Sequence, residues 1–428
     1  MKAVAVDLPI ERFELGCGAT LIVSRRPGAP VAAVRAHMRG GPALEPEGKE
    51  GLSSLVGRFV DQGTEDHSEA ELAALLEPAG GEIAGDANGV GGTIVSPQWR
   101  LLLDCLCEVL TRPVYPDDEI ELQTRRLLHR LKIEQEDPRT QGHRRFRRLV
   151  YGRHWLGRPF DGYLESVAKT KAAHLRRYHA QHWVGRRCIF GVCGDVDPAR
   201  VRAHLERRLA DWNPGTALAP RQSELPAPGV RVDAFPADRQ QVHVFLGHIG
   251  IRREDPDYPA LVVMDYILGT GPGFTNRISR RLRDELGLAY AVGADIHSSA
   301  GLLPGTFKAY IGTSPEHLAT AVAGILHEVR LLQREVPSKK ELETAVQYLV
   351  GSFALGFERA ARRAAYLVSA ELHGFPEDNL QRLPLEFQGV SAADVRRVAR
   401  RHLFPDRCCL AASGPTSRKE LAAILAQA

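Results

Sequence analysis

The sequence predicts an α+β fold of two homologous domains, each a mostly antiparallel sheet covered by helices. The chain has 428 residues, which is too many for one ordinary core and suits two or more domains. A proline-rich stretch without regular periodicity, residues 214–229, predicts a linker. It separates residues 1–213 from residues 230–428, and the order of segments in the first part recurs in the second.

The repeat is visible segment by segment along the chain. The matching segments are strand-like runs at 31–38 and 242–248, helical patterns from Leu52 and Leu261, Ser-Pro steps at 96–97 and 314–315, and proline steps at 115–119 and 336–340. Each Ser-Pro or proline step opens a further helical pattern. This order predicts the same layers of strands and helices in both parts.

One helix of the first part carries an unusual motif. Its apolar residues recur at i, i+3, i+4, i+7 and i+8, and they are Leu52, Leu55, Val56, Phe59 and Val60. This spacing predicts an amphipathic helix whose apolar face meets the core. Gly63 follows as a C-terminal stop.

The stretch 51–64, with 41–45 upstream, resembles the first motif region of the pitrilysin, insulysin and mitochondrial-processing-peptidase family. Two segments near the end of the first part, 151–159 and 188–197, resemble further family motifs in the right order. The resemblance covers nearly the whole chain. It implies two homologous domains that form half of a clam-shell chamber, and it is closest to the bacterial non-zinc subunits of such peptidases.

The resemblance also locates the family's zinc motif, H-x-x-E-H, in this sequence. The two zinc-binding histidines fall on Ser54 and Arg58, and the catalytic glutamate falls on Gly57. The third ligand falls on Arg130, although a gap could place His129 or Glu134 there. A serine hydroxyl is a poor zinc ligand, arginine is a permanent cation and glycine has no side chain. We therefore expect no metal in this chain.

A second family motif is intact in this sequence. The glycine-rich segment with Gly269, Gly271 and Gly273 is followed by Arg283 and Tyr290. In the family, the matching arginine and tyrosine reach a zinc site on another domain or subunit, where they bind substrate and steady the tetrahedral intermediate. Guanidinium and phenol groups are both good donors to a developing oxyanion. The resemblance therefore implies catalytic roles in trans for Arg283 and Tyr290 and a substrate-binding role for the glycines.

Composition and the other polar clusters favour no separate function. The net charge of +4 gives no global nucleic-acid bias, and no apolar run reaches the roughly 18 residues of a membrane span. Seven scattered cysteines indicate reduced thiols in the cytoplasm. The histidines at 174, 179 and 182 are interpreted as the polar side of a helix. The basic run 143–148 is interpreted as a solvated or salt-bridged helix face, with a weaker hypothesis that Arg144 and Arg145 favour acidic peptides.

These observations lead to one main functional expectation and two alternatives. The chain is expected to be the non-zinc subunit of a heterodimeric metallopeptidase that cleaves unfolded peptides, inactive alone and paired with a homologous zinc-bearing subunit. No nucleic-acid or membrane partner is expected. The first alternative is a catalytically inactive structural or peptide-binding homologue. The second is a self-sufficient enzyme with a relocated site, which ranks last because no nucleophile–base pair or ligand set emerges from the sequence.

Overall fold

The computed structural model describes residues 6–218, 224–271 and 275–428 and contains two β-sheets. The first sheet consists of β1 (Glu11–Glu14), β2 (Thr20–Arg25), β3 (Val31–Met38), β4 (Glu82–Asp86), β5 (Gly89–Val95) and β6 (Cys188–Gly194). The second consists of β7 (Arg231–Pro236), β8 (Val242–Ile249), β9 (Val292–Asp295), β10 (Thr306–Thr313) and β11 (Cys409–Gly414). Both strand-like runs of the predicted repeat are therefore strands, β3 and β8.

The two sheets share the same order of five strands, and the first sheet has β1 as an additional edge strand. Their strand orders are β1-β2-β6-β3-β5-β4 and β7-β11-β8-β10-β9. In each sheet one pair is parallel, β2 with β6 and β7 with β11, and the other pairs are antiparallel. The predicted fold class, two similar and mostly antiparallel sheets covered by helices, is confirmed.

Helices cover both sheets. Those of the first part are α1 (Leu52–Arg58), α2 (Glu69–Leu76), α3 (Trp99–Thr111), α4 (Asp117–Glu136), α5 (Pro138–Tyr151), α6 (Leu164–Ala168), α7 (Ala172–His182) and α8 (Pro198–Arg208). Those of the second part are α9 (Tyr258–Asp265), α10 (Leu318–Arg334), α11 (Lys339–Phe353), α12 (Ala360–His373), α13 (Asn379–Gly389), α14 (Ala392–His402) and α15 (Arg418–Gln427). Two π-helical segments, Tyr266–Thr270 and Ser279–Glu285, precede β9.

Each part has its own hydrophobic core, and the two parts exchange one helix. In the first core α3 packs on the first sheet, and in the second core α10 packs on the second. The helix α5 of the first part lies on the outer face of the second sheet, where Phe146 contacts Phe245. The helix α12 of the second part lies on the outer face of the first sheet, where Leu367 packs near Ile189. Sequence periodicity did not predict this exchange.

Two local predictions need correction. The helix from Leu52 ends at Arg58, so Phe59 and Val60 lie beyond it in a turn, although both remain buried. His179 does not lie on a polar helix face: it is buried, and its Nε2 is 3.0 Å from the Leu110 carbonyl oxygen. Arg144 and Arg145 form ion pairs with Glu134 and Asp233, as expected for a salt-bridged helix face.

None of the helices in the described residues combines the length and the apolar character that crossing a membrane requires.

Candidate functional site

Three of the four zinc-motif positions, Ser54, Gly57 and Arg58, lie on α1, and the fourth, Arg130, lies on α4. A buried carboxylate holds the first turn of α1. Glu45 accepts hydrogen bonds from the backbone N–H groups of Gly51 (3.1 Å) and Ser53 (2.9 Å) and from the Ser53 hydroxyl (2.6 Å). The negative charge also complements the positive end of the helix dipole. Burial raises the pKa of Glu45, while the hydrogen bonds from Ser53 and Gly51 oppose that shift.

Three of the four zinc-motif positions converge on one carboxylate. Asp161 accepts hydrogen bonds from the Ser54 hydroxyl (2.9 Å), from Nη2 of Arg58 (2.9 Å) and from Nη2 of Arg130 (2.7 Å). Asp161 is only 22% exposed, so water screens these pairs less than it would at an open surface. Of the alternatives for the third position, Glu134 is 3.7 Å from Arg130 Nε and also pairs with Arg144.

This cluster does not fit a zinc ion. Two guanidinium groups occupy the space where neutral imidazoles and a carboxylate would have to converge, and they would repel a divalent cation. The one carboxylate between them is already shared by Arg58 and Arg130. No catalytic step through a metal in this chain can be derived from such residues.

Close packing leaves no room for a side chain at Gly57, the position that matches the family's catalytic glutamate. Gly57 lies against β4, and a Cβ atom built there would be 1.7 Å from the backbone oxygen of Asp86. From the strand side, a Cβ at Gly85 would be 1.9 Å from the backbone oxygen of Gly57. The helix and the strand therefore approach each other through two glycines, and any side chain at position 57 requires them to move apart.

The second motif lines a cavity of about 420 Å³ beside β9. Gly269, Gly271, Arg283 and Tyr290 all contribute to its wall. Gly273, the third predicted glycine, lies outside the described residues. The structure thus brings four of the five predicted residues of this motif to one cavity, far along the chain from α1.

Arg283 and Tyr290 differ in how their own chain holds them. The Arg283 guanidinium lies against Asp284, with its Nε 2.8 Å and its Nη2 2.7 Å from the carboxylate. Tyr290 lies two residues before β9 and is 94% exposed. A side chain that is so exposed contacts little of its own chain, and a large exposed tyrosine is typical of binding surfaces.

The wall of the cavity is anchored from behind. Gly269, at the end of α9 and its π-helical extension, approaches the backbone of β9, since a Cβ there would be 2.3 Å from the Ala294 nitrogen. Asp265 is fully buried and accepts hydrogen bonds from the backbone of Ile296 and His297 and from the His297 ring. Burial lowers the pKa of His297, but the Asp265 carboxylate outweighs burial and the pKa is raised. These contacts fix the end of β9 beside the cavity.

Sequence reasoning did not find several residues of these two sites. Asp161 is 107 residues from Ser54 and belongs to none of the motifs that suggested the site. Arg139, Lys308 and Tyr310 also line the cavity. They come from α5 and β10, and only the exchange of α5 brings the first of them to the second sheet.

One other group of potential metal ligands occurs within the described residues: Asp255, Asp257 and His402. Asp257 is already bound by Arg397 (2.7 Å), Arg401 (3.2 Å) and His402 (2.8 Å). Two arginines at the carboxylate make this an ion-pair network between α14 and the start of α9 rather than a cation site.

Comparison with known proteins agrees with this geometry. The family model described as the peptidase M16 inactive domain matches residues 169–349. Residues 169–349 are similar to a peptidase M16 inactive domain. The match confirms the predicted resemblance to this peptidase family, and it is consistent with a non-catalytic M16 subunit.

Individual relatives are distant but nearly full-length. The chain is 24% identical over 422 residues to an uncharacterised zinc protease of Streptomyces coelicolor, covering 96% of this chain and 91% of that protein. The crystal structure of a peptidase M16 inactive domain from Pseudomonas fluorescens superposes with a TM-score of 0.89 at 21% identity, covering 96% of this chain and 99% of that one. A chain of complex III2 from Candida albicans gives 0.79 at 14% identity, covering 97% and 100%. At these identities the solved structures establish the M16 fold.

Proposed function

We propose that this chain is the non-zinc subunit of a two-chain M16 metallopeptidase that cleaves unfolded peptides. A homologous partner with an intact H-x-x-E-H helix would hold the zinc and the general base. This chain would close the other side of a clam-shell chamber and supply Arg283 and Tyr290 in trans. The two homologous domains, 1–213 and 230–428, would be joined by the linker 214–229.

One observation carries the proposal: in the same fold the zinc motif is blocked, whereas the second motif lines an accessible cavity. At α1, Asp161 binds the residues at the ligand positions, and β4 excludes a side chain from Gly57. At the second motif, Arg283, Tyr290 and two glycines line an open cavity, and Tyr290 is 94% exposed. A chain with only a scaffold role would have no need of this second arrangement.

The chemistry of the open cavity suits a supporting role. A guanidinium and a phenol can donate hydrogen bonds to a peptide carbonyl whose oxygen becomes an oxyanion during attack. Neither group supplies a nucleophile or a general base at neutral pH, so the chain would be inactive alone. All seven cysteines are free and buried, which suits a reducing compartment such as the cytoplasm.

The test is reconstitution with the zinc-bearing M16 relative of the same host. We expect an unfolded peptide to be cleaved by the mixture but not by this chain alone. Tyr290→Phe and Arg283→Ala should each lower turnover by roughly tenfold to a thousandfold while the zinc content of the mixture stays the same. Tyr348→Phe, a change at a partly exposed tyrosine outside the cavity, is the matched control. Unchanged turnover in both cavity variants would end the catalytic role.

A second candidate is peptide capture without cleavage. The pairing of Arg283 with Asp284 favours it, because a guanidinium held by its neighbour has fewer donors for an oxyanion. This candidate predicts that peptides bind to the chain and that no zinc-bearing relative adds turnover. The same reconstitution therefore separates the two.

A further inference from the structure

The cavity beside Arg283 and Tyr290 carries an excess of positive charge. Its charged lining residues are Arg139, Arg283, Lys308 and Asp295. Arg283 is paired with Asp284, whereas within the described residues neither Arg139 nor Lys308 forms an ion pair with a carboxylate. Two cations on one concave wall attract an anionic group.

We propose that this cavity selects peptides by charge: Lys308, with Arg139 beside it, binds the carboxylate of an aspartate or glutamate side chain in the bound peptide. The proposal deepens the function proposed above, since it names the class of peptide that the same cavity accepts.

Lys308 is placed for this role by the register of the second sheet. It lies on β10 opposite Asp295 of the edge strand β9, but Asp295 instead accepts a hydrogen bond from the Ser298 hydroxyl. Lys308 is only partly exposed. Within the described residues no carboxylate forms an ion pair with its ammonium group, so the carboxylate of a bound peptide can form a charge-assisted hydrogen bond with it.

Arg139 is held over the same wall by an aromatic ring. Its guanidinium carbon is 4.7 Å from the centre of the Tyr310 ring, and the Tyr310 hydroxyl is 3.0 Å from Nδ1 of His243. Stacking uses the face of a guanidinium and leaves the N–H donors at its edge available for a carboxylate. Arg139 thus has a fixed position and spare donors.

The edge strand leaves access to both cations. Lys308 and Tyr310 are two residues apart on β10, so they share one face of the sheet, and Gly293 of β9 is paired with Tyr310. Glycine has no side chain to separate an incoming residue from this face. An extended peptide passing β9 would present every second side chain to it.

The nearby histidines do not disturb this charge balance at neutral pH. Burial, followed by the charge of Lys308, lowers the pKa of His143 to about 4. Burial also lowers the pKa of His243. Both rings are therefore neutral under ordinary conditions. The positive charge comes from Lys308 and Arg139, and Asp137 is the acidic group near Arg139 and His243.

The experiment measures binding to the purified chain without any zinc-bearing relative. The probe is a short fluorescent, N-acetylated and C-amidated Ser/Ala peptide with one central glutamate, compared with its glutamine counterpart by fluorescence anisotropy. We expect the glutamate peptide to bind about tenfold more tightly, as a charge-assisted hydrogen bond at a partly buried site allows. Lys308→Met should remove the preference, Lys308→Arg should keep it, and Lys308→Glu should shift it to a lysine peptide.

The control is Lys419→Met, because Lys419 is an exposed lysine on α15, which packs against β7 at the opposite edge of the same sheet. Equal affinities for the two peptides, or a preference that survives Lys308→Met, would overturn the proposal. A preference that appears only when the C-terminus is left as a free carboxylate would also overturn it in favour of a terminal-carboxylate site. Charge selection without turnover in the reconstituted pair would refute the catalytic role alone, whereas Tyr290-dependent turnover with no charge preference would refute charge selection alone.

Discussion

Replacing Gly57 by alanine tests whether packing, and not only the loss of a glutamate, closes the former catalytic position. Gly57 lies within α1, and on helix propensity alone alanine should stabilise it by up to about 1 kcal/mol. The structure predicts the opposite sign. The new Cβ would be 1.7 Å from the Asp86 oxygen, and real contacts of this kind do not fall below 3.0 Å. The helix and β4 must therefore separate by about 1.3 Å or more, in a core that is packed without spare volume.

Forced separation of packed elements costs about 1–3 kcal/mol and occasionally more. Because the overlap at Gly57 is with backbone atoms, we take the upper end of this range, about 3 kcal/mol. After the helix-propensity gain of up to about 1 kcal/mol, we expect Gly57→Ala to lose about 2 kcal/mol of unfolding free energy. The assay is urea unfolding followed by circular dichroism, read as a lower midpoint at an unchanged slope. Gly389→Ala is the matched control, because no atom lies within 4 Å of its Cβ position, and it should be neutral or slightly stabilising. A Gly57→Ala protein as stable as the wild type would refute the packing argument.

Three further predictions concern charge and metal binding. Restoring the zinc motif with Ser54→His, Gly57→Glu and Arg58→His should give a less stable protein, because β4 leaves no room for the glutamate side chain. Mass spectrometry of the folded protein should show no stoichiometric zinc, and one bound zinc per chain would contradict this prediction. Asp161→Ala should lower the unfolding free energy in urea by about 2 kcal/mol, because Arg58 and Arg130 both donate to Asp161. A loss below about 0.5 kcal/mol would show that this cluster does not stabilise the fold. Glu341 lies in the first turn of α11, 2.7 Å from the buried Arg277. Burial alone would raise the pKa of Glu341, but hydrogen bonds from Arg277 and from the helix-capping Ser338 lower it from 4.5 to about 2. This carboxylate therefore stabilises the fold above about pH 4.5 and loses that effect as the pH falls towards 2. Glu341→Gln should lower the unfolding free energy by up to about 3 kcal/mol at neutral pH and by little near pH 2. A loss of unfolding free energy that does not change with pH would contradict this prediction.

The repeat was readable from the sequence because it depends on local patterns. The strand-like runs at β3 and β8 and the proline steps before the helices are properties of short segments, and the structure has strands and helices there. The loss of zinc ligands at Ser54 and Arg58 was equally local, since the side chains themselves cannot bind the metal.

The parts that could not be predicted depend on contacts between distant segments. Nothing near Ser54 in the sequence indicates that Asp161 will bind it, and nothing near Gly57 indicates that a strand backbone will fill the space of its side chain. The burial of His179 has the same origin, because its partner is the carbonyl of Leu110 on another helix. The cationic wall of the cavity required knowing that Arg139 belongs spatially to the second sheet.

The exchange of α5 and α12 has a consequence for how the chain can be cut. Each part covers the outer face of the other part's sheet with one of its helices. The two protomers of a domain-swapped dimer exchange elements in the same way, but here both parts belong to one polypeptide. A half expressed alone would expose the apolar strip that its missing helix should cover, at Ile189 in one half and at Phe245 in the other. Cleavage within 214–229 would leave both strips covered, because each half would still hold the helix of the other. The nicked chain should therefore stay together as one particle, whereas the isolated halves should aggregate until they are mixed.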